Sequence, residues 1–250
     1  MEHSLNVLFP PVFENNLEKI QNHFITKGED LTLNCKIKET NPEAIISFRF
    51  NDVTIGNIKT GSGQSLGSYF ESSNNINAQI IDEPYNQEKY FLDAVSQSLI
   101  VMKVDLDDTG NFYCTASNSI GFSTRTDVVT VQTFPEIIEA PELEKDSMIL
   151  LLGSDFKLSC QATGVPKPKI IWTVDNEVIT STTHQTAIIT TYPKNELSIP
   201  SVTAQDSGLY SCIAENVLGQ AKKSTILLIH AVPMIDKFEY QFNIIENESL

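Results

Sequence analysis

Four cysteines, Cys35, Cys114, Cys160 and Cys212, are the residues of this 250-residue chain best suited to chemistry. A cysteine can serve as nucleophile, metal ligand or half of a disulfide, and its neighbours decide which. The histidines His3, His23, His184 and His230 are scattered, and none stands at metal-ligand spacing from another histidine or from a cysteine. An even cysteine count with no odd thiol points instead to two bridges, for which three connectivities are open. Bridges persist in oxidising compartments, so the chain is expected outside the cell or facing outward. His184 follows Ser181, Thr182 and Thr183, but no positioned carboxylate completes a nucleophile-activating set. Gly61-Ser62-Gly63 lacks the lysine and the following helix of a phosphate loop. Asp105, Asp107 and Asp108 crowd together like calcium ligands without EF-hand spacing or its terminal glutamate. No catalytic site, metal or cofactor is therefore expected.

Charge narrows the partners. The net charge of −15 is spread evenly, with no Lys/Arg stripe. Phosphate binding needs clustered cations, so nucleic acid and anionic membrane surfaces are excluded as partners. No apolar run is long enough to span a bilayer, and no convergent polar set marks a small-molecule substrate.

The elements that must position these cysteines are written twice. Asp108-Thr109-Gly110-Asn111-Phe112-Tyr113-Cys114-Thr115-Ala116-Ser117-Asn118-Ser119-Ile120-Gly121 returns as Asp206-Ser207-Gly208-Leu209-Tyr210-Ser211-Cys212-Ile213-Ala214-Glu215-Asn216-Val217-Leu218-Gly219. A repeat at this spacing means tandem copies of one domain. Period-2 alternation supplies the strands: Leu31, Leu33 and Cys35 share a face, as do Phe156, Leu158 and Cys160. Ile46, Phe48 and Phe50 match Ile170, Trp172 and Val174, and Leu99, Val101 and Val104 match Leu197, Ile199 and Val202. Nothing reads as a helix of useful length.

The repeated motif resembles the E–F corner and strand F of immunoglobulin domains, including the Asn-x-x-Gly turn into strand G typical of the I-set. The resemblance covers nearly the whole chain and implies an all-β fold of two tandem Greek-key sandwiches. With the duplicated register it implies Cys35–Cys114 and Cys160–Cys212, each pair joining the same two strands of its own copy. It gives Phe48 and Trp172 the place against the bridge, Asp108 and Asp206 the corner aspartate, and Gly110 and Gly208 the corner glycine. Tyr210 becomes a tyrosine corner whose hydroxyl returns to the E–F backbone, whereas Phe112 leaves the first copy without one. Lys89 is the basic partner that such domains place against Asp108. Pro166-Lys167-Pro168 reads as a stiff B–C loop.

Apolar strands followed by proline mark the junctions, at Leu5–Val12, Val128–Ile137 and Leu227–Ile235. Proline lacks an N–H and suits a handover where ladder bonding lapses. The expected division is 1–9 as the last strand of a preceding domain, 10–133 and 134–232 as whole domains, and 233–250 as the start of a third. No secretory leader opens the chain, so a disulfide-paired chain of this kind is expected to be an excerpt of a longer one. Asn247-Glu248-Ser249 offers one N-glycosylation sequon at Asn247.

The first copy departs from the second. Cys35 and Cys114 stand 79 positions apart, against 52 for Cys160 and Cys212. The excess, about 51–88, contains Gly/Ser/Asn-rich loop composition, with room for C′ and C″ strands. Its large side chains Leu66, Tyr69, Phe70 and Ile76 are the candidate partner contacts, since loops on a rigid scaffold carry recognition.

The resemblance implies an extracellular protein-binding module of a multi-immunoglobulin adhesion or recognition protein. It is similar to neural cell-adhesion and axon-guidance ectodomains and to matrix proteins of the hemicentin kind, with a protein partner, homophilic or not. Two other readings stand beside it. One is the ectodomain of a receptor tyrosine kinase or phosphatase; the other is an intracellular muscle scaffold, against which the paired cysteines argue.

Overall fold

The computed structural model describes residues 7–14, 19–61, 77–82, 86–180, 183, 186–191 and 193–231. The chain divides into two compact units at Phe134/Pro135. Both are β-sandwiches, and the longest helical pieces among the described residues are short 3-10 turns.

Domain 1 is built from β1 (Phe9–Phe13), β2 (Ile20–Thr26), β3 (Leu31–Asn34), β4 (Ile37–Asn41), β5 (Ile45–Phe50) and β6 (Val53–Gly61). There follow β7 (Asn77–Asp82), β8 (Tyr90–Asp93), β9 (Ser98–Val101), β10 (Gly110–Ser117) and β11 (Phe122–Glu139), the last running on into domain 2. One layer has the order β11-β10-β5-β6-β7, with β2 lying parallel on β11. The other is β3-β9-β8, and β1 pairs with β4. Strands β6 and β7 account for part of the 51–88 excess, with Gly61 opposite Asn77 in the ladder. Between the layers lie Leu33, Cys35, Ile46, Phe48, Leu99, Val101, Phe112 and Cys114, all buried. Burying such side chains contributes about 1.5–3 kcal/mol each.

Domain 2 uses β12 (Ser147–Leu151), β13 (Phe156–Ser159), β14 (Gln161–Val165), β15 (Lys169–Val174) and β16 (Glu177–Val178). β17 (Ile188–Thr190), β18 (Glu196–Ile199), β19 (Gly208–Asn216) and β20 (Gly219–His230) complete it. Its larger layer is β12-β20-β19-β15-β16, with β12 parallel to β20. The smaller layer is β13-β18-β17, and β14 pairs with β11, whose segment from Pro135 onward belongs to this domain. Phe156, Leu158, Trp172, Leu197, Ile199 and Tyr210 fill the core.

In each domain the strand that carries the first cysteine breaks at that residue, between β3 and β4 and between β13 and β14. One residue patches each break. Gln97, buried and left-handed, accepts the Cys35 N–H on its carbonyl at 2.9 Å and the Ile37 N–H on its side chain at 2.8 Å. Asn195, also left-handed, accepts the Cys160 N–H at 3.2 Å. Without these acceptors, donors at the break would be left buried and unpaired.

Strand pairing runs close to both junctions. Phe9, counted above with the segment 1–9, pairs with Asn41 of β4 in domain 1. Strand β11 runs from Phe122 to Glu139, and its pairing with β2 ends at Gln132, before Pro135. Pro10 and Pro11 sit within β1, at an irregularity in its pairing, where the missing N–H costs no ladder bond.

A polar cluster fixes the outer strand of the larger layer in domain 1. Buried Asp127 accepts from His23 Nε2 at 2.8 Å and from Arg125 Nη2 at 3.1 Å, while the same Arg125 nitrogen donates to Gln21 Oε1. His23 and Gln21 belong to β2 and the charged pair to β11, so side chains reinforce the parallel main-chain ladder.

Candidate functional site

The repeated Asp, Gly, Cys and Asn residues each have a mechanical task. Cys35 bonds Cys114 and Cys160 bonds Cys212, with Cα separations of 6.2 and 6.5 Å, inside the range a disulfide needs. Phe48 stands opposite Cys114 and Trp172 opposite Cys212 in their ladders, so each aromatic is aligned with its bridge.

Asp108 and Asp206 each close a 3-10 turn from its third position. Asp108 Oδ2 accepts the Asp105 N–H at 2.7 Å, and Asp206 Oδ2 accepts the Thr203 N–H at 2.7 Å. Each turn is a reciprocal capping box. Lys89 reaches Asp108 Oδ2 at 2.5 Å, neutralising a carboxylate that is almost wholly buried.

Tyr210 donates its phenol to the Asp206 carbonyl at 2.9 Å. Burial, together with the charges of Asp206 and Asp175, holds that phenol far above its ordinary value of 10. Phe112 has no hydroxyl and packs instead on Phe50, with ring centroids 4.5 Å apart.

The two corner glycines are required by close approach. A Cβ on Gly208 would lie 2.9 Å from Val174 Cγ2, and one on Gly110 would lie 2.9 Å from Phe50 Cε2. Beside them sit left-handed Asp175 and Asn51, whose side chains accept the N–H groups of Leu209 at 2.9 Å and Asn111 at 3.3 Å.

Asn118 and Asn216 tie the F–G turn to the rest of each domain. Asn118 Oδ1 accepts the Ile120 and Gly121 N–H groups at 2.9 and 3.1 Å, and its amide donates to the carbonyls of Phe9 and Pro42 at 2.9 and 3.1 Å. Asn216 likewise accepts from Leu218 N–H at 2.9 Å and donates to the Pro166 carbonyl at 3.0 Å. Beside Asn118 opens a cleft of about 980 Å³ lined by Thr40, Pro42, Lys59, Thr60 and Gly61 among others.

The repeated Asp, Gly, Cys and Asn residues are thus each engaged in the corner, the bridge or the F–G turn. Among the described residues, no group of three or more His, Cys, Asp or Glu side chains could hold a metal ion. Nor is any helix there long and apolar enough to cross a membrane. His23 sits in the Asp127 cluster and His230 ends β20; His3 and His184 lie outside the described residues. The candidate contacts Leu66, Tyr69, Phe70 and Ile76, and the sequon at Asn247, also lie outside them. What the described residues offer a partner is surface. On the outer face of domain 1, Arg49 stacks over Tyr113 at 5.4 Å from the ring centre.

Sequence reasoning missed Gln97, Asn195, Asn51 and Asp175. Their signal is positional: each is a polar residue at a turn, two positions before Leu99 or Leu197 or one position after Phe50 or Val174.

Family models of the immunoglobulin domain match residues 21–126 and 135–216. The chain belongs to the immunoglobulin superfamily. It is 31% identical to mouse hemicentin-2 over 165 residues, which is 66% of this chain and 3% of that protein. It is 27% identical to human vascular endothelial growth factor receptor 1 over 235 residues, 88% of this chain and 14% of the receptor. The chain therefore spans only a small part of the relatives it matches. Among solved structures it is similar to the titin I-band fragment I67–I69, with a TM-score of 0.59 and 23% identity over 90% of this chain and 67% of that one. At that identity the likeness shows the fold alone. With two bridges and relatives of this kind, the segment is extracellular or at the cell surface.

Proposed function

We propose that this chain is a protein-binding segment of a multi-immunoglobulin adhesion or recognition protein, acting by surface complementarity without catalysis or cofactor. The observation that carries this reading is that the duplicated Asp, Gly, Cys and Asn residues are all engaged in holding the sandwiches together, so recognition falls to what the two copies do not share. Interfaces of this sort draw most of their energy from a few buried anchors. The segment 62–76 between β6 and β7 is one such unshared feature. Because Gly61 and Asn77 pair directly, a four-residue Gly/Ser turn can replace 62–76 and still close the hairpin. Shortening a surface loop changes closure entropy by only about 0.6 kcal/mol per halving.

Beads coated with the disulfide-intact chain test the reading, scored for clumping with one another and for capture of cells. Binding that falls with the shortened loop supports contact there. Binding that persists moves the contact to the sheet faces, and beads inert in both assays overturn protein binding. A second reading, the ligand-binding ectodomain of a receptor tyrosine kinase, is favoured by the match to the growth factor receptor over most of the chain. A kinase domain in the full-length transcript would decide for it.

A further inference from the structure

The stretch between β16 and β18 of domain 2 departs from the rest of the chain in charge. Although 20% of all residues are charged, no Asp, Glu, Lys or Arg lies between Glu177 and Lys194. That stretch carries β17, the edge strand of the smaller layer. An edge strand presents unpaired N–H and C=O groups, and proteins guard it with charge, a bulge or a cover. Edge strands β7, β8 and β16 carry Asp82, Asp93 and Glu177. Strand β17 carries Ile188, Ile189 and Thr190, with the two isoleucines 57% and 40% exposed. An uncharged, β-branched edge of this kind is a template for pairing with another chain.

Hydroxyls take the place of charge here. Serine and threonine make up half of residues 180–193, which end on Pro193. That is the composition of segments that carry O-linked sugar. The structure sorts these hydroxyls into engaged and free. Thr183 Oγ1 donates to the Val178 carbonyl at 3.0 Å and accepts the Thr180 N–H at 2.9 Å. Thr180 Oγ1 accepts the Thr183 N–H at 3.2 Å, and Thr190 Oγ1 accepts the Glu196 N–H at 3.2 Å. Among the described residues, no hydrogen bond engages the Thr186 or Thr191 side chain, and both residues are exposed. They flank β17 on either side, no more than about 18 Å apart along the chain.

We propose that Thr186 and Thr191 are O-glycosylated on passage through the secretory route, and that the two sugars cover the β17 edge. The two disulfides already require the oxidising compartments of that route. Each threonine Oγ1 displaces the phosphate from C1 of an activated sugar phosphate. The Oγ1–C1 bond forms, the bond from C1 to the phosphate oxygen breaks with its electron pair going to the phosphate, and the hydroxyl proton leaves to solvent. Nothing is oxidised or reduced. A hydrated sugar at each end of so short a strand keeps a second edge from lying alongside it, the task that charge performs on other edges. The modification lies outside the protein-binding reading and holds whatever the partner is.

Peptide mapping by mass spectrometry tests the sites, on the full chain secreted from animal cells behind a cleavable leader. Fragmentation that retains side-chain sugars should place one on Thr186 and one on Thr191, and leave Thr180, Thr183 and Thr190 bare. The added mass tells a hexose from an N-acetylhexosamine, and either fits a hydroxyl acceptor. The mapping uses the unaltered chain, so it does not depend on a variant folding.

Cover is tested on the same chain made in the bacterial periplasm, where bridges form and these sugars are not added. At equal concentration the bare chain should sediment as larger assemblies than the secreted one, and Ile188→Lys should return it to the secreted profile. Near-ultraviolet circular dichroism establishes that each form is folded, and Ile188→Thr serves if the lysine variant is not. Unmodified Thr186 and Thr191 in the secreted chain overturn the proposal, as does sugar spread equally over Thr180, Thr183 and Thr190. A bare chain that sediments like the secreted one overturns the covering role.

Discussion

The Tyr210 phenol and the Asp206 carbonyl are joined by a 2.9 Å hydrogen bond across the corner that leads into β19. The bond spans four residues and ties the 3-10 turn to the strand bearing the second cysteine. Tyr210→Phe should cost domain 2 about 1 kcal/mol at neutral pH, the net worth of one such bond. The sign of the alkaline response follows from the raised pKa. Stability from the buried phenol is complete below the ordinary value of 10 and is lost as pH rises toward the higher folded value, because the unfolded chain ionises first. Denaturant titrations of both proteins from about pH 9 to about pH 11 should show the wild-type decline, less the part the variant lacks.

Lys89 and Asp108 are a pair with one partner buried. Lys89→Met should leave the carboxylate without its counter-ion and destabilise domain 1 by about 3 kcal/mol. Lys89→Arg should retain most of that. A melt of the first domain unchanged by Lys89→Met would show that the capping-box bonds suffice for Asp108.

Gly208→Ala tests the close approach at the second corner. The new methyl meets Val174 Cγ2 and Asp175 Oδ2, so strand β15 or β19 must shift. A loss of roughly 1–3 kcal/mol is expected, read as a lower midpoint in denaturant, whereas Gly153→Ala suffers from its positive φ without any steric contact.

Asp105 governs part of the acid response of domain 1. The Lys27 side chain, at 3.0 Å, and the Leu106 N–H hold its carboxyl below the ordinary 3.8. Its contribution is present above that value and disappears as pH falls through the lower folded one. Asp105→Asn should flatten the acid limb below 3.8, an outcome that a denaturation series across that limb checks directly.

The fold was legible because its signals are local and repeated. Cys114 and Cys212 lie in the same phrase of sequence, and the alternation around Leu33, Phe48, Leu158 and Trp172 separates inside from outside without any tertiary knowledge. The C″ strand was harder to read. Asn77-Ala78-Gln79 has loop composition, and β7 exists because Ile80 reaches the core from a ladder that β6 already provides. Gln97 was harder still. A buried glutamine in a turn acquires its purpose only when the break beside Cys35 arrives across 60 residues of chain. The Asp127 cluster depends likewise on β2 lying parallel to β11, which no spacing of His23, Arg125 and Asp127 announces.

The parallel pairing of β12 with β20, and of β2 with β11, bears on how each domain meets tension. Each pair joins a strand near the start of its domain to the strand by which the chain leaves. Parallel strands pulled from such opposite ends slide past each other, so their hydrogen bonds are strained together and not opened one at a time like a zip. In domain 1 the His23–Asp127 and Arg125–Gln21 contacts bridge the sliding pair, adding side-chain resistance along the direction of pull. A molecule stretched between two anchored surfaces would yield last at these seams.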